Sequence, residues 1–335
     1  MMKIRKISAL ILTLIIGVLP LFSCSSSSSD ALADSDSEPD VRNTEIQEEG
    51  SETETDSAAS SPASVVTAVE YGENTGTSAT LTGLEPLPLV DFVTSDPDNT
   101  AGLSTEKISH SYGVAENETA NDISVNNQAY FDNGNFKALT LDTKTEEKIV
   151  YLTFDVGYDN GYTGQILDTL KEKSVTAAFF CTVSEMESDP DSIARMITEG
   201  HIVGNHTKNH PSMDEISRAE MTAEIKAFDD YIRTNFGYSS PYFRFPKGEY
   251  SDCALELVGS LGYTSVFWSL AYADWDLDDQ KGADYALKTV VDRIHPGAVI
   301  LLHAVSPDNA AALGDIIDTV RSMGYEFKSL EDYNA

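Results

Sequence analysis

Beyond residue 148 the chain alternates between short apolar runs and amphipathic stretches of helical period. Residues 148–154 (KIVYLTF) predict a buried strand, and 162–173 a helix with Ile166, Leu167 and Leu170 on one face. The alternation continues as strand 177–181, helix 193–199 and strand 201–204. Between residues 217 and 236, Met221, Ile225, Phe228 and Ile232 recur at spacings of four, three and four, which predicts a long helix with one buried stripe. Strand 242–244, helix 253–261, strand 264–268, helix 283–294, strand 298–302 and helix 309–323 complete the pattern. Strands alternating with helices build parallel β-α units, as a barrel or as a doubly wound sheet. No glycine-rich fingerprint follows the first strand, so nothing favours a dinucleotide site.

The chain before that point reads differently. Lys3, Arg5 and Lys6 precede an apolar run over 7–22, short for a membrane span, which ends in Leu21, Phe22, Ser23 and Cys24. This is an export signal, and the lone Cys ahead of a serine run resembles the lipobox of bacterial lipoproteins, in which the Cys is lipidated as the first mature residue. An ordinary cleaved signal and an uncleaved anchor are the alternatives. All three place the rest of the chain outside the cytoplasm. The organisation expected is a signal over 1–24, a disordered acidic Ser/Thr-rich linker over 25–103, an N-terminal extension over 104–147 and a catalytic domain over 148–335.

Charge narrows the classes further. The 335 residues carry 22 Lys+Arg against 55 Asp+Glu, a formal net charge of -33. Residues 25–90 hold 14 acidic groups and one basic group, so linker and domain share the excess. Such a chain repels a phosphate backbone, which excludes nucleic acid as a partner. Three cysteines make no disulfide framework, and nothing in the sequence pairs Cys181, read as a core residue, with Cys253.

In parallel β-α folds catalytic groups collect at the C-terminal ends of strands. The predicted strand ends offer Asp155, His206 with His210, Arg244, the Asp274-Trp275 pair and His303. His206 and His210 lie four apart, so one helical turn would aim both imidazoles at a divalent metal; two solvated surface histidines are the alternative. Thr207 stands where a zinc-protease helix carries its glutamate, so a base must come from elsewhere. Asp155 is the candidate base or a turn carboxylate. Arg244 would hold it through a bidentate pair or be an ordinary surface cation. His303 is an acid, protonated if Asp274 lies beside it, or else a core histidine. Trp275 and Tyr272 would form a stacking wall for a sugar ring or fill a barrel mouth.

TFDVG (153–157), HTKNH (206–210), RFPKG (244–248), ADW (273–275) and LLH (301–303) resemble, in order and spacing, the five motifs of the polysaccharide deacetylase family with its NodB homology domain, carbohydrate esterase family 4. YLTFDVGYDNGYT, FWSLAYADW and RIHPGAVILLHAVSPDNA resemble its peptidoglycan N-acetylmuramic acid deacetylase branch. The resemblance implies a distorted (β/α) barrel and metal-dependent hydrolysis of N-acetyl groups on a peptidoglycan amino sugar. It implies Asp155 as base, His206 and His210 as ligands of a divalent metal, zinc, and Arg244 as the tether of the base. Asp274 is then the partner of the acid His303, with Trp275, Tyr272 and Pro246 around the substrate. Most members have a second Asp directly after the base as third metal ligand. Here that position is Val156, which leaves a substitute oxygen such as Asp159, or water, to complete the set. Other glycans, or a catalytically inactive glycan-binding lipoprotein, are the competing readings.

Overall fold

A computed structural model describes residues 80–158 and 160–333. The export signal, Cys24, Asp159 and residues 25–79 of the expected linker lie outside the described residues. In chain order the elements are β1 (Ile108–Ser109), α1 (Asp122–Gly134), β2 (Ala138–Leu139), β3 (Ile149–Val156), α2 (Thr163–Lys173), β4 (Ala178–Cys181), α3 (Val183–Ser188), α4 (Pro190–Thr198) and β5 (Ile202–Asn205). They continue as α5 (Arg218–Phe236), β6 (Tyr242–Phe243), β7 (Glu249–Tyr250), α6 (Asp252–Ser260), β8 (Thr264–Val266), α7 (Ala283–Arg293), β9 (Ala298–His303), α8 (Pro307–Ser322) and β10 (Glu326–Lys328).

Eight strands form one curled parallel sheet, β3-β4-β5-β6-β8-β2 with β10 sharing the β4 edge of β3 and β9 on its other edge, while β1 and β7 pair antiparallel apart from it. On its other edge β3 pairs with β9 from Val150↔Ala298 to Asp155↔His303. Ile300 of β9 in turn bridges Leu270 beyond β8, so the sheet curls back on itself as a distorted barrel. Alternation along β3 decides what faces where. Val150, Leu152, Phe154 and Val156 pack outward against Ile166, Leu167 and Leu170 of α2 and Leu313, Ile316 and Val320 of α8. Tyr151 packs inward with Phe180, Val266 and Val299.

The long helix α5 begins at a capping box, Ser217 with Glu220, and buries the predicted stripe together with Phe236. Two expectations change. Strand β3 runs two residues past its predicted end, through Val156. Residues 80–103, expected within the disordered linker, lie along the domain: Leu81 N–H donates to Asn235 O at 2.9 Å, and Leu87 N–H to Arg233 O at 3.1 Å. The buried Arg218 donates to Ser95 O. Backbone hydrogen bonds and the packing of Phe92 on Tyr263 hold a segment whose apolar residues follow no regular period.

Candidate active site

The C-terminal ends of the strands open into a cavity of about 770 Å³. Asp155, His206, His210, Trp275 and His303 all line it. Asp155 and His303 sit directly opposite one another on adjacent parallel strands, a pairing set by the register of β3 and β9.

Arg244 is fully buried beneath Asp155. Its Nη1 donates to Asp155 Oδ1 at 2.7 Å, while Nε donates to Val266 O at 2.8 Å and Nη2 to Thr153 Oγ1 at 2.9 Å. The guanidinium also stacks 4.1 Å over the Phe180 ring. Contact with Asp155 is therefore single, not bidentate, because the rest of the fork is used to fix the arginine itself. Burial pushes the Asp155 carboxyl up, but Arg244, then His206 and His303, outweigh it and hold it below the usual carboxylate range.

His206 and His210 do not share a helical turn, as their spacing suggested. They lie on a loop after β5 in which Thr207 (φ 72°) and His210 (φ 57°) take left-handed backbone conformations. A β-branched residue there is strained. The loop is held by Asn205 Oδ1, which accepts from Thr207 N–H, and by Glu224 Oε2, which accepts from Lys208 and Asn209 N–H. The two rings end edge to face at 4.8 Å. His206 Nδ1 faces Arg244 O at 2.9 Å, so it carries the proton, and Nε2, 3.7 Å from Asp155 Oδ2, keeps its lone pair. Burial lowers the pKa of both rings, His210 to about 4 with help from His206.

Two adjacent neutral imidazoles fit a divalent cation. Among the described residues no group of three His, Cys, Asp or Glu side chains is placed to hold one. Val156 belongs to the outward, helix-facing row of β3 and is fully buried, so the strand directs position 156 away from the cavity. The proposed substitute, Asp159, lies outside the described residues.

His303 has the opposite environment. Its Nδ1–H donates to Asp274 Oδ1 at 2.7 Å and its backbone N–H to Asp274 Oδ2 at 2.8 Å. Burial alone would lower the His303 pKa, but the Asp274 charge and hydrogen bond, with Asp155 beyond, raise it above the ordinary histidine value.

Trp275 is 52% exposed at the cavity rim, its ring edge-on to His303 at 5.4 Å. Tyr272 and Pro246, expected at the substrate, do not line the cavity: both are buried, and Tyr272 packs with the core around α7. His201 is a core histidine beside Phe179. The sequence reading missed His110 and Tyr112, which the extension brings to the cavity through β1 pairing with β7. It also missed Thr153, beneath Arg244. Strand polarity alone could have flagged Thr153, as an inward residue two before Asp155, whereas nothing local marks His110.

Residues 142–266 match the family model described as polysaccharide deacetylase. The chain is 43% identical over 189 residues to a peptidoglycan-N-acetylmuramic acid deacetylase, PdaA, of Bacillus subtilis, covering 56% of this chain and 72% of that protein. It is 33% identical over 187 residues to a peptidoglycan-N-acetylglucosamine deacetylase of Bacillus cereus, covering 54% and 66%. The solved structure of Bacillus subtilis PdaA, a family 4 carbohydrate esterase, superposes with a TM-score of 0.65 at 38% identity, covering 69% of this chain and 97% of that one. With the strand-end motifs placed around one cavity and these relatives matched across it, the chain belongs to the polysaccharide deacetylase family.

Proposed function

We propose that the protein hydrolyses N-acetyl groups from amino sugars of peptidoglycan, outside the cytoplasmic membrane, tethered there by a lipidated Cys24. The observation that carries this reading is the facing pair on β3 and β9: a carboxylate held ionised by Arg244 opposite an imidazole held protonated by Asp274. A base and an acid whose environments drive their pKa values apart can act in one turnover at neutral pH. Asp155 takes a proton from the attacking water, and His303 Nε2 gives one to the departing amine. Arg244 keeps Asp155 aimed and ionised. His206 and His210 would hold a divalent metal, which when bound polarises the acetyl carbonyl and acidifies water. Trp275 offers a face for the sugar ring. The names of the relatives support peptidoglycan as the glycan, with N-acetylmuramic acid and N-acetylglucosamine both open as the sugar.

The test is release of acetate from isolated cell wall by the protein freed of residues 1–24, assayed with zinc and with other divalent metals, and mass spectrometry of the digested glycan to identify the sugar. One observation favours a second reading, an inactive glycan-binding lipoprotein: Val156 turned into the core. Retained binding to wall without acetate release under any metal would replace the first reading by the second.

A further inference from the structure

Asn309, the third residue of α8, has none of the roles given above, yet its buried side chain uses every polar atom it has. Nδ2 donates to Asp274 Oδ2 at 2.5 Å and to His303 O at 3.2 Å, and Oδ1 accepts from the Tyr272 hydroxyl. Its backbone N–H donates to Ser306 Oγ, the N-cap of the helix, so the start of α8 fixes where the amide stands.

The consequence falls on Asp274. Its Oδ2 accepts two donors, His303 N–H and Asn309 Nδ2, which leaves Oδ1 facing the Nδ1–H of His303. A carboxylate with one oxygen so occupied cannot rotate without giving up both bonds in a buried site, where unmet polar groups are costly. Asp274 Oδ2 and His303 O, which only accept, set the direction of the amide, and the Tyr272 hydroxyl supports it by donating to Oδ1. The flipped amide would set its oxygen against the Asp274 carboxylate and the His303 carbonyl and leave the Tyr272 hydroxyl proton without its acceptor.

We propose that Asn309 is a positioning residue for His303, acting through Asp274, with Tyr272 supporting its amide in the productive orientation. This rests on the reading of His303 as the acid. The charges facing His303 are Asp274 from the loop before α7, Asp155 from β3 and Arg244 after β6, and a substitution at 309 leaves all three in place.

The test is a double-mutant cycle in the full chain, with acetate release from cell wall as the rate and the low-field proton resonance of the His303 Nδ1–H as a readout that needs no turnover. Asn309→Ala is expected to lower kcat about tenfold with KM within about twofold, and to cost less than about twofold once Asp274 is already alanine. Tyr272→Phe is expected to lower kcat about threefold. Asn309→Asp keeps shape and the Tyr272 bond but sets a carboxylate against Asp274, so it should move the His303 resonance and shift the alkaline limb of the pH profile upward. It carries the test if the alanine variant fails to fold by circular dichroism. A loss that simply adds to Asp274→Ala, a rise in KM alone, or an unchanged His303 resonance in both folded variants would overturn the proposal. A wild type that releases no acetate would overturn the reaction assignment, while the resonance would still report on Asn309.

Discussion

His206, buried after β5, and His303, partly buried at the end of β9, face the same cavity, and the structure gives them opposite protonation. His206 points Nδ1 at a backbone carbonyl, and burial then keeps the ring neutral. His303 points Nδ1 at a carboxylate 2.7 Å away, and the charge overcomes its own desolvation. Residue type is common to both and desolvation pushes both the same way, so the partner at one nitrogen decides whether such a histidine can hold a metal or deliver a proton.

The largest expected effect comes from removing the anion that faces both rings. Asp155→Asn should lower the rate of acetate release by about 10³-fold or more, the range of a lost general base. It should also destabilise the fold by about 3 kcal/mol in urea titration, because Arg244 is left buried without its counter-charge. Retained activity would remove Asp155 from the mechanism.

Asp274→Asn tests the comparison itself by making the environment of His303 more like that of His206. The rate should fall by about 10²-fold, and the alkaline limb of the pH profile should move to lower pH. Stability supplies the sign. A histidine whose folded pKa is raised contributes stability that is fully present below its unfolded pKa, about 6.5, and lost as pH rises through the folded value. The stability difference between wild type and variant should therefore be largest in mildly acidic solution and shrink toward alkaline pH in urea titrations. A difference that grows with pH would contradict the assignment.

Position 156 separates the cavity-facing row of β3 from its helix-facing row. Val156→Asp should cost about 2 kcal/mol or more by burying a carboxyl among apolar side chains, without strengthening metal binding in a titration by calorimetry. Tighter metal binding in a folded variant would show that the end of β3 can turn. At the rim, Trp275→Ala should raise KM about fivefold with kcat little changed, in keeping with a stacking face worth about 1 kcal/mol.

Much of this was legible in one dimension. The apolar alternation located the sheet strands from residue 148 to 302 and the helices between them other than α3, because strands covered on both faces leave near-continuous hydrophobic runs. Asp155, Arg244, Asp274 and His303 could be named as strand-end groups from polarity against an apolar background. Three features were not legible. The His206–His210 spacing suggested a helical turn, but Asn205 and Glu224 hold a strained loop instead. Tyr272 read as a pocket aromatic, but its ring is in the core and only its hydroxyl, through Asn309, reaches the site. Residues 80–103 read as linker because their apolar residues follow no regular period, and the backbone bonds and Phe92 contact that hold them leave no periodic signal.

The sequence by itself determined which chemical groups stand at the strand ends and in what order, since both follow from local pattern. Tertiary structure decided which nitrogen meets which oxygen. Asp155 and Arg244 are 89 residues apart in the chain, and Asp274 and His303 are 29 apart. Burial and partner distance, which set the charge each group carries, exist only once strand register and helix starts have brought such residues together.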